Sequence, residues 1–288
     1  SEKTVQRRRR LDMNWLQSVL YGFLTGASDV LPVSSRAHGI LLLKIFGTTI
    51  DGNLMQLFLH LAAMLAIYMS SRPTITRIRR ALALKRIPKR KRRRPLDTKS
   101  LMDFRLLRTT AVPIVLAYLF YDKLFSLGSN MMLVAFFLLL NGLIIYIPRF
   151  LPTGNKDART MSRVEGLLIG LGGALSIFPG ISAMGAMLSV SSVCGVDKEY
   201  SLGNALLETM LILLCVSVND ILRIASAGLK DVTFQMVLVC LVTALAAFVG
   251  TLLGMKLLKT IAKNGDFSIF SFYCLGLALF TFFLNLIA

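Results

Sequence analysis

Cysteine is scarce in this sequence of 288 residues, and the few cysteines are far apart. The chain has four of them, Cys194, Cys215, Cys240 and Cys274. No two form a Cys-x-x-Cys pair, and three lie in apolar runs, so the spacing indicates neither a disulfide framework nor a zinc site. We expect them to act as small apolar fillers.

Acidic residues are also few. The chain has 15 Asp and Glu against 33 Lys and Arg, which gives a formal net charge of +18. Much of the excess lies between Arg72 and Arg108, next to apolar segments. The positive-inside bias and anionic headgroups explain such a placement better than a nucleic-acid partner, and we expect none. Whether the block only fixes orientation or also binds headgroups stays open.

A cleavable signal is missing as well. The first apolar run has no convincing small-residue cleavage site and continues into the sequence Pro32-Val33-Ser34-Ser35. Met13 resembles a natural start, so residues 1–12 are expected to be a basic N-terminal extension. Residues 13–288 are expected to form a single integral membrane domain.

Apolar residues dominate the chain. They make up 55% of the sequence, and the mean hydropathy is +0.67. Six spans are predicted, at 54–69, 106–125, 131–147, 202–221, 234–257 and 267–287. Two further segments, 15–46 and 164–193, are interrupted at Pro32 and Pro179 and are too short for two crossings of about 20 residues each. We expect re-entrant helical hairpins there, and cytoplasmic basic loops at 72–105, 148–163 and 256–266.

The two interrupted segments resemble each other. Gly26-Ala27-x-x-Val30-Leu31-Pro32-x-x-Ser35 corresponds to Gly173-Ala174-x-x-Ile177-Phe178-Pro179-x-x-Ser182, a shift of 173 − 26 = 147 positions. Paired, interrupted apolar segments are typical of an inverted repeat with its site between the two halves. The predicted fold is an all-α polytopic membrane protein with repeats at about 13–147 and 160–288. It has about six transmembrane helices and two re-entrant hairpins.

Several polar side chains gather at the first interruption. Ionisable groups at such a depth are expensive and indicate a functional site, which here would comprise Thr25, Asp29, Ser34, Ser35, Arg36 and His38. The serines either cap the following helix or take part in catalysis. His60 either lines the same cavity or packs in a structural place. Glu208 could face the cavity, and Asp220 with Arg223 is expected to form an interfacial pair.

These motifs resemble a known family. Residues 22–38 are similar to the signature of the bacterial undecaprenyl-diphosphate phosphatase family, Glu-Gly-x-x-Glu-Phe-Leu-Pro-Val-Ser-Ser-x-Gly-His. Residues 179–186 resemble its second motif, Pro-Gly-x-Ser-Arg-Ser-Gly-Ala. The resemblance implies a hydrolase of the bacterial inner membrane that removes the terminal phosphate of a polyprenyl diphosphate, the recycled lipid carrier of cell-wall synthesis. It also implies an outward-facing site and a divalent cation, Mg²⁺ or Ca²⁺.

The resemblance also assigns roles to residues. Those it implies are catalytic Asp29, Ser34, Ser35 and His38, with Asp29 also a metal ligand, and substrate-binding Thr25, Gly180 and Ser182. Thr25 stands where the family has a Glu, and Ala183 where it has an Arg. Arg36 occupies the position in the first repeat that Ala183 occupies in the second, so we expect its guanidinium to enter the same cavity from the opposite repeat.

The altered charges leave a second function open. A catalytically impaired homologue would bind or translocate polyprenyl phosphate lipids without cutting them. The sequence also leaves a homodimer open.

Overall fold

The structure is a computed structural model, which describes residues 13–48, 53–227, 232–264 and 267–287. The basic extension expected at 1–12 lies outside them. Within these ranges the chain forms helices and no β-strand. The α-helices are α1 (Trp15–Val30), α2 (Ser35–Phe46), α3 (Asn53–Arg86), α4 (Thr98–Tyr118), α5 (Tyr121–Phe125), α6 (Met131–Tyr146), α7 (Arg163–Ala174), α8 (Ala183–Val193), α9 (Lys198–Ala227), α10 (Phe234–Asn264) and α11 (Ser268–Ile287).

The prediction of an all-helical, multi-pass membrane protein is confirmed. In the described part of the chain, α3, α6, α9, α10 and α11 are long and apolar enough to cross a membrane. A sixth span arises if α4 and the following segment 121–129 count together, with a bend of 65° between them. The remaining long apolar stretches form two helical hairpins, α1 with α2 and α7 with α8. Their arms reach at most 16 residues, or about 24 Å, which is less than the hydrocarbon core of about 30 Å.

Each hairpin begins with the same device, a capping box, in which a side chain and a backbone N–H are bonded reciprocally. At the start of α1, Asn14 Oδ1 accepts the N–H of Gln17 at 2.8 Å, and Gln17 Oε1 accepts that of Asn14 at 2.9 Å. Ser162 and Glu165 repeat this arrangement at the start of α7. At each helix start the capping box therefore satisfies two backbone N–H groups that have no partner within the helix.

The two halves exchange packing partners. α1 packs along α10 of the second half, and α7 packs along α4 of the first. Both pairs run parallel, because Gly22 and Gly26 approach Thr243 and Ala247 in the same order, just as Gly166 and Gly170 approach positions 109 and 110. α3 packs on α9 and α6 on α11. With α4 and segment 121–129 counted as one span, each half has three spans, so the two hairpins start from opposite sides, as an inverted repeat requires.

The prediction of a basic loop at 72–105 is wrong over much of this range. α3 continues through Pro73 to Arg86, and α4 begins at Thr98. Arg, Lys and Ala are strong helix formers, and the extension buries Ile78 and Ala81. α10 likewise continues to Asn264, so most of the loop expected at 256–266 is helical too.

Candidate functional site

A large cavity lies where the two broken hairpins meet. It has a volume of about 910 Å³ and is lined by residues from both halves. It lies at the end of the molecule where α3 begins and α9 ends, because Gln56 and Arg223 are among its walls. The basic residues of α3, from Arg72 onward, lie at the opposite end of that helix. The cavity and the basic end are therefore separated by the length of α3.

Five of the six residues predicted at the first interruption line the cavity. Asp29, Ser34 and Ser35 all line the cavity. The chain leaves the α1 helix at Leu31, since Pro32 offers no N–H, and re-enters a helix at Ser35. Ser35 Oγ donates to the backbone oxygen of Thr25 at 3.1 Å and lies beside the Asp29 carboxylate.

Ser34 is the unusual member of this group. Its φ of 57° is positive, which no other non-glycine residue in the described ranges shows. The residue is buried, and its hydroxyl has no hydrogen-bond partner among the described groups. Strained backbone and an unpartnered polar group in a cavity wall both occur at functional sites. Ser34 therefore places a buried, unpartnered hydroxyl at the cavity wall.

Arg36 links the two halves at the cavity wall. Its Nη1 donates to the backbone oxygen of Ile177, in the second interruption, at 2.8 Å. Its Nη2 donates to the backbone oxygen of Phe125 at 2.8 Å, and the guanidinium lies over the rings of Tyr121 and Phe125. Ala183 lines the same cavity. The guanidinium thus enters the cavity with three N–H groups left for other acceptors.

The second interruption contributes two serine side chains, Ser176 and Ser182, to the cavity wall. Ser182 lines the cavity, but its Oγ donates to the backbone oxygen of Leu31 at 3.1 Å and caps α8 by accepting the N–H of Gly185. Gly180 is not among the cavity walls; its φ is 124° and it packs against the α6 backbone at Leu138. Thr25 lines the cavity, with its hydroxyl bonded to its own helix.

The structure separates His38 from this group. His38 is absent from the described cavity walls and faces α11, where its Nε2 lies 2.7 Å from the Tyr273 hydroxyl. Its Nδ1 lies 2.8 Å from the backbone oxygen of Ser34. Both ring nitrogens are therefore engaged, and a catalytic role for His38 stays a prediction.

The acidic residues Asp220 and Glu208 of the second half have other contacts than the sequence predicted. Asp220 does not pair with Arg223; its Oδ2 lies 2.8 Å from Nδ1 of His60, across the α3–α9 contact. Arg223 instead binds Asp122. Asp220 is one turn closer to the membrane centre than Arg223, which brings it level with His60. Glu208 is buried against Thr110, away from the cavity.

His60 and Asp220 both line the cavity. The sequence did not decide whether His60 lines the cavity, and the predicted pairing of Asp220 with Arg223 is wrong. The sequence signal was that His60 and two acidic residues, Glu208 and Asp220, lie within the apolar segments 54–69 and 202–221, which favours a pair between the segments. Tyr118 and Tyr121 also line the cavity, and no local sequence pattern predicts that they do.

The cavity walls offer few side chains that could bind a metal ion. In the described part of the chain, no three His, Cys, Asp or Glu side chains form a metal-binding group. Mg²⁺ is commonly bound by one or two carboxylates together with substrate phosphates and water. Asp29 fits that pattern if the phosphate oxygens of a substrate complete the coordination.

The fold and the cavity together define a class of protein. It is a multi-pass, all-helical membrane protein, and its two broken hairpins help to form a cavity whose walls carry the arginines Arg36 and Arg223 and the carboxylates Asp29 and Asp220.

Sequence comparison then identifies the family. The chain belongs to the family described as bacitracin resistance protein BacA, which it matches over residues 18–280. It is similar to Undecaprenyl-diphosphatase 1 of Shouchella clausii, with 28% identity over 282 residues, 94% of this chain and 96% of the relative. The Undecaprenyl-diphosphatase of Thermosipho melanesiensis is 30% identical over 93% of this chain and 98% of its own. That of Methanobrevibacter smithii is 29% identical over 91% and 94%.

Proposed function

We propose that this protein is a phosphatase that hydrolyses the diphosphate of undecaprenyl diphosphate or a similar polyprenyl lipid. The observation that carries the proposal is the position of Arg36, with its guanidinium in the shared cavity beside the second interruption. Membership of the BacA family supports it, as do relatives named undecaprenyl-diphosphatases. Such a lipid carrier is recycled in cell-wall synthesis.

Each side chain has a distinct task in this proposal. Arg36 binds the phosphoryl oxygens with the N–H groups that its two carbonyl contacts leave free. The Ser34 hydroxyl, which lacks a protein partner, contacts the reacting phosphate. Asp29 would hold a divalent cation, Mg²⁺ or Ca²⁺, which neutralises charge on the phosphoryl oxygens. Apolar walls such as Leu43 and Leu213 accept the first part of the lipid chain.

Charge asymmetry supports an outward-facing site. The basic end, including Arg72–Arg86 and the residues up to Lys99, belongs in the cytoplasm by the positive-inside bias. The cavity, at the other end of α3, would then face the outer surface of the cell membrane. Ser129→Cys, at the cavity end, should react with an impermeant thiol reagent in intact cells, and Arg93→Cys should not. The reverse pattern would contradict this orientation.

The function is tested by phosphate release from undecaprenyl diphosphate by purified protein in detergent, with Mg²⁺, with Ca²⁺ and with a chelator. Release should require a cation and should fall about 100-fold or more in Asp29→Asn. Asp103→Asn is the matched control, since Asp103 is a buried carboxylate at the basic end, bonded to Arg77 and Tyr200. It should retain the wild-type rate in the folded fraction.

The alternative function gives a different result. A protein that only binds or moves the lipid would release no phosphate, yet would bind undecaprenyl phosphate and lose that binding in Arg36→Ala. Absence of both release and binding would exclude both functions.

A further inference from the structure

The pair formed by His60 and Asp220 is a further charged feature of the cavity wall, in addition to Asp29, Arg36 and Arg223. His60 comes from α3 and Asp220 from α9, helices that occupy equivalent places in the two halves. The atoms Nδ1 and Oδ2 are 2.8 Å apart, and the side chains are 17% and 4% exposed. Both residues line the cavity that holds Arg36 and Ser34.

The hydrogen bond determines which ring nitrogen can accept a proton. An ionised Asp220 carboxylate has only acceptors, so Nδ1 of His60 carries the hydrogen that it donates. The lone pair is then on Nε2, for which the described residues provide no hydrogen-bond partner. A histidine held in this way, with a carboxylate on one nitrogen and a cavity beside the ring, has the arrangement of a general base.

Other charged groups around the pair do not replace this contact. Asp29 of α1 acts on His60 electrostatically, but Asp220 is its ion-pair partner in the described part of the chain. Arg223, one turn beyond Asp220 on α9, binds Asp122. Arg36 donates to backbone oxygens. Among the described residues, the His60 ring is therefore bonded to the Asp220 carboxylate and to no cation.

We propose that His60 is the proton acceptor for the attacking water and that Asp220 is its positioning residue. This inference rests on the proposed phosphatase function. The water oxygen forms a bond to the terminal phosphorus, and the bond to the bridging oxygen breaks. Its electron pair leaves with the polyprenyl monophosphate, while the water proton moves to Nε2 of His60. The proton then passes to solvent, which restores the neutral ring.

The test compares kcat and KM for undecaprenyl diphosphate in five purified proteins: wild type, His60→Gln, His60→Ala, Asp220→Asn and the control Asp103→Asn. We expect His60→Gln to lower kcat by about 100-fold or more while KM changes by less than about threefold. Asp220→Asn should lower kcat by about 10- to 100-fold. His60→Gln should flatten the acidic limb of the pH profile, whereas Asp220→Asn, which keeps the His60 ring, should displace that limb without removing it. Asp103→Asn, the buried carboxylate at the basic end, should change neither quantity.

Chemical rescue separates a proton acceptor from a structural residue. The cavity has room for an added imidazole once the side chain is removed, so imidazole should restore part of the activity of the folded His60→Ala protein. A His60→Gln protein with the wild-type kcat and pH profile, or a folded His60→Ala protein that imidazole leaves inactive, would overturn the inference alone. A wild-type protein without phosphate release would overturn the proposed function, and this inference with it.

Discussion

Asn141 of α6 holds Ser182 of the second interruption, since its Oδ1 accepts the Ser182 N–H at 2.8 Å. The same side chain reaches the first interruption, where its Nδ2 lies 3.4 Å from the backbone oxygen of Pro32. Asn141 is fully buried. A single amide thus satisfies backbone groups that Pro32 and Pro179 release from the helices, and it ties the two hairpins together.

Removing this amide should loosen both hairpins. In Asn141→Ala the buried Ser182 N–H loses its partner and the Pro32 carbonyl keeps only the weak Cys274 thiol donor, so we expect a loss of about 2–3 kcal/mol together with most of the activity. Thermal unfolding in detergent measures the stability change. Thr243→Val is the control, because the buried Thr243 hydroxyl bonds only within its own helix. Equal destabilisation by the two variants would show that Asn141 has no special importance.

Glycines determine how closely α1 approaches α10. A Cβ at Gly26 would lie 2.3 Å from the backbone oxygen of Ala247, so the helices must separate to admit it. We expect Gly26→Ala to destabilise the protein by about 1–3 kcal/mol. Gly276→Ala is the matched change, since nothing lies within 4 Å of its Cβ position in α11. That variant should be neutral or slightly stabilised. Comparable melting temperatures would contradict this account of the packing.

The sequence predicts those features that depend on local chemistry. Both interruptions are visible because proline, glycine and hydroxyl residues break apolar runs at Pro32 and Pro179, and the repeat is visible because these unusual residues recur. The charge of α3 was a poor guide, since a basic segment with good helix formers and buried Ile78 continues as a helix. The bond between His60 and Asp220 joins residues 160 positions apart, and no local pattern specifies which helices meet.

Moving the arginine back to the second repeat tests the exchange inferred from the symmetry. Arg36→Ala should reduce phosphate release by about 100-fold, because a guanidinium in the cavity is lost. Ala183 lines the same cavity, so Arg36→Ala combined with Ala183→Arg should recover a measurable part of the rate. Ala183→Met, of similar length and no charge, is the control in the Arg36→Ala background. Recovery with Met as well as Arg, or with neither, would argue against an exchanged guanidinium.

Two substitutions of Ser34 should differ in stability but lose activity alike. Its backbone, at φ 57° and ψ 93°, is strained for a residue with a Cβ, and such strain costs about 1–3 kcal/mol. Glycine adopts positive φ freely, so Ser34→Gly should be more stable than Ser34→Ala by about 1 kcal/mol. Both variants lack the hydroxyl, and both should release phosphate at least about tenfold more slowly than the wild type.

The neighbouring serine provides the control for this comparison. Ser35 begins α2 with helical backbone, so Ser35→Gly should be less stable than Ser35→Ala by up to about 1 kcal/mol, the reverse order. Melting temperatures of the four variants in one detergent, with phosphate release from each, complete the test. If Ser34→Gly melts below Ser34→Ala, the backbone at Ser34 is not strained. If it keeps the wild-type rate, the hydroxyl is not needed, and the strained turn would serve only to aim Ser35 and Arg36 into the cavity.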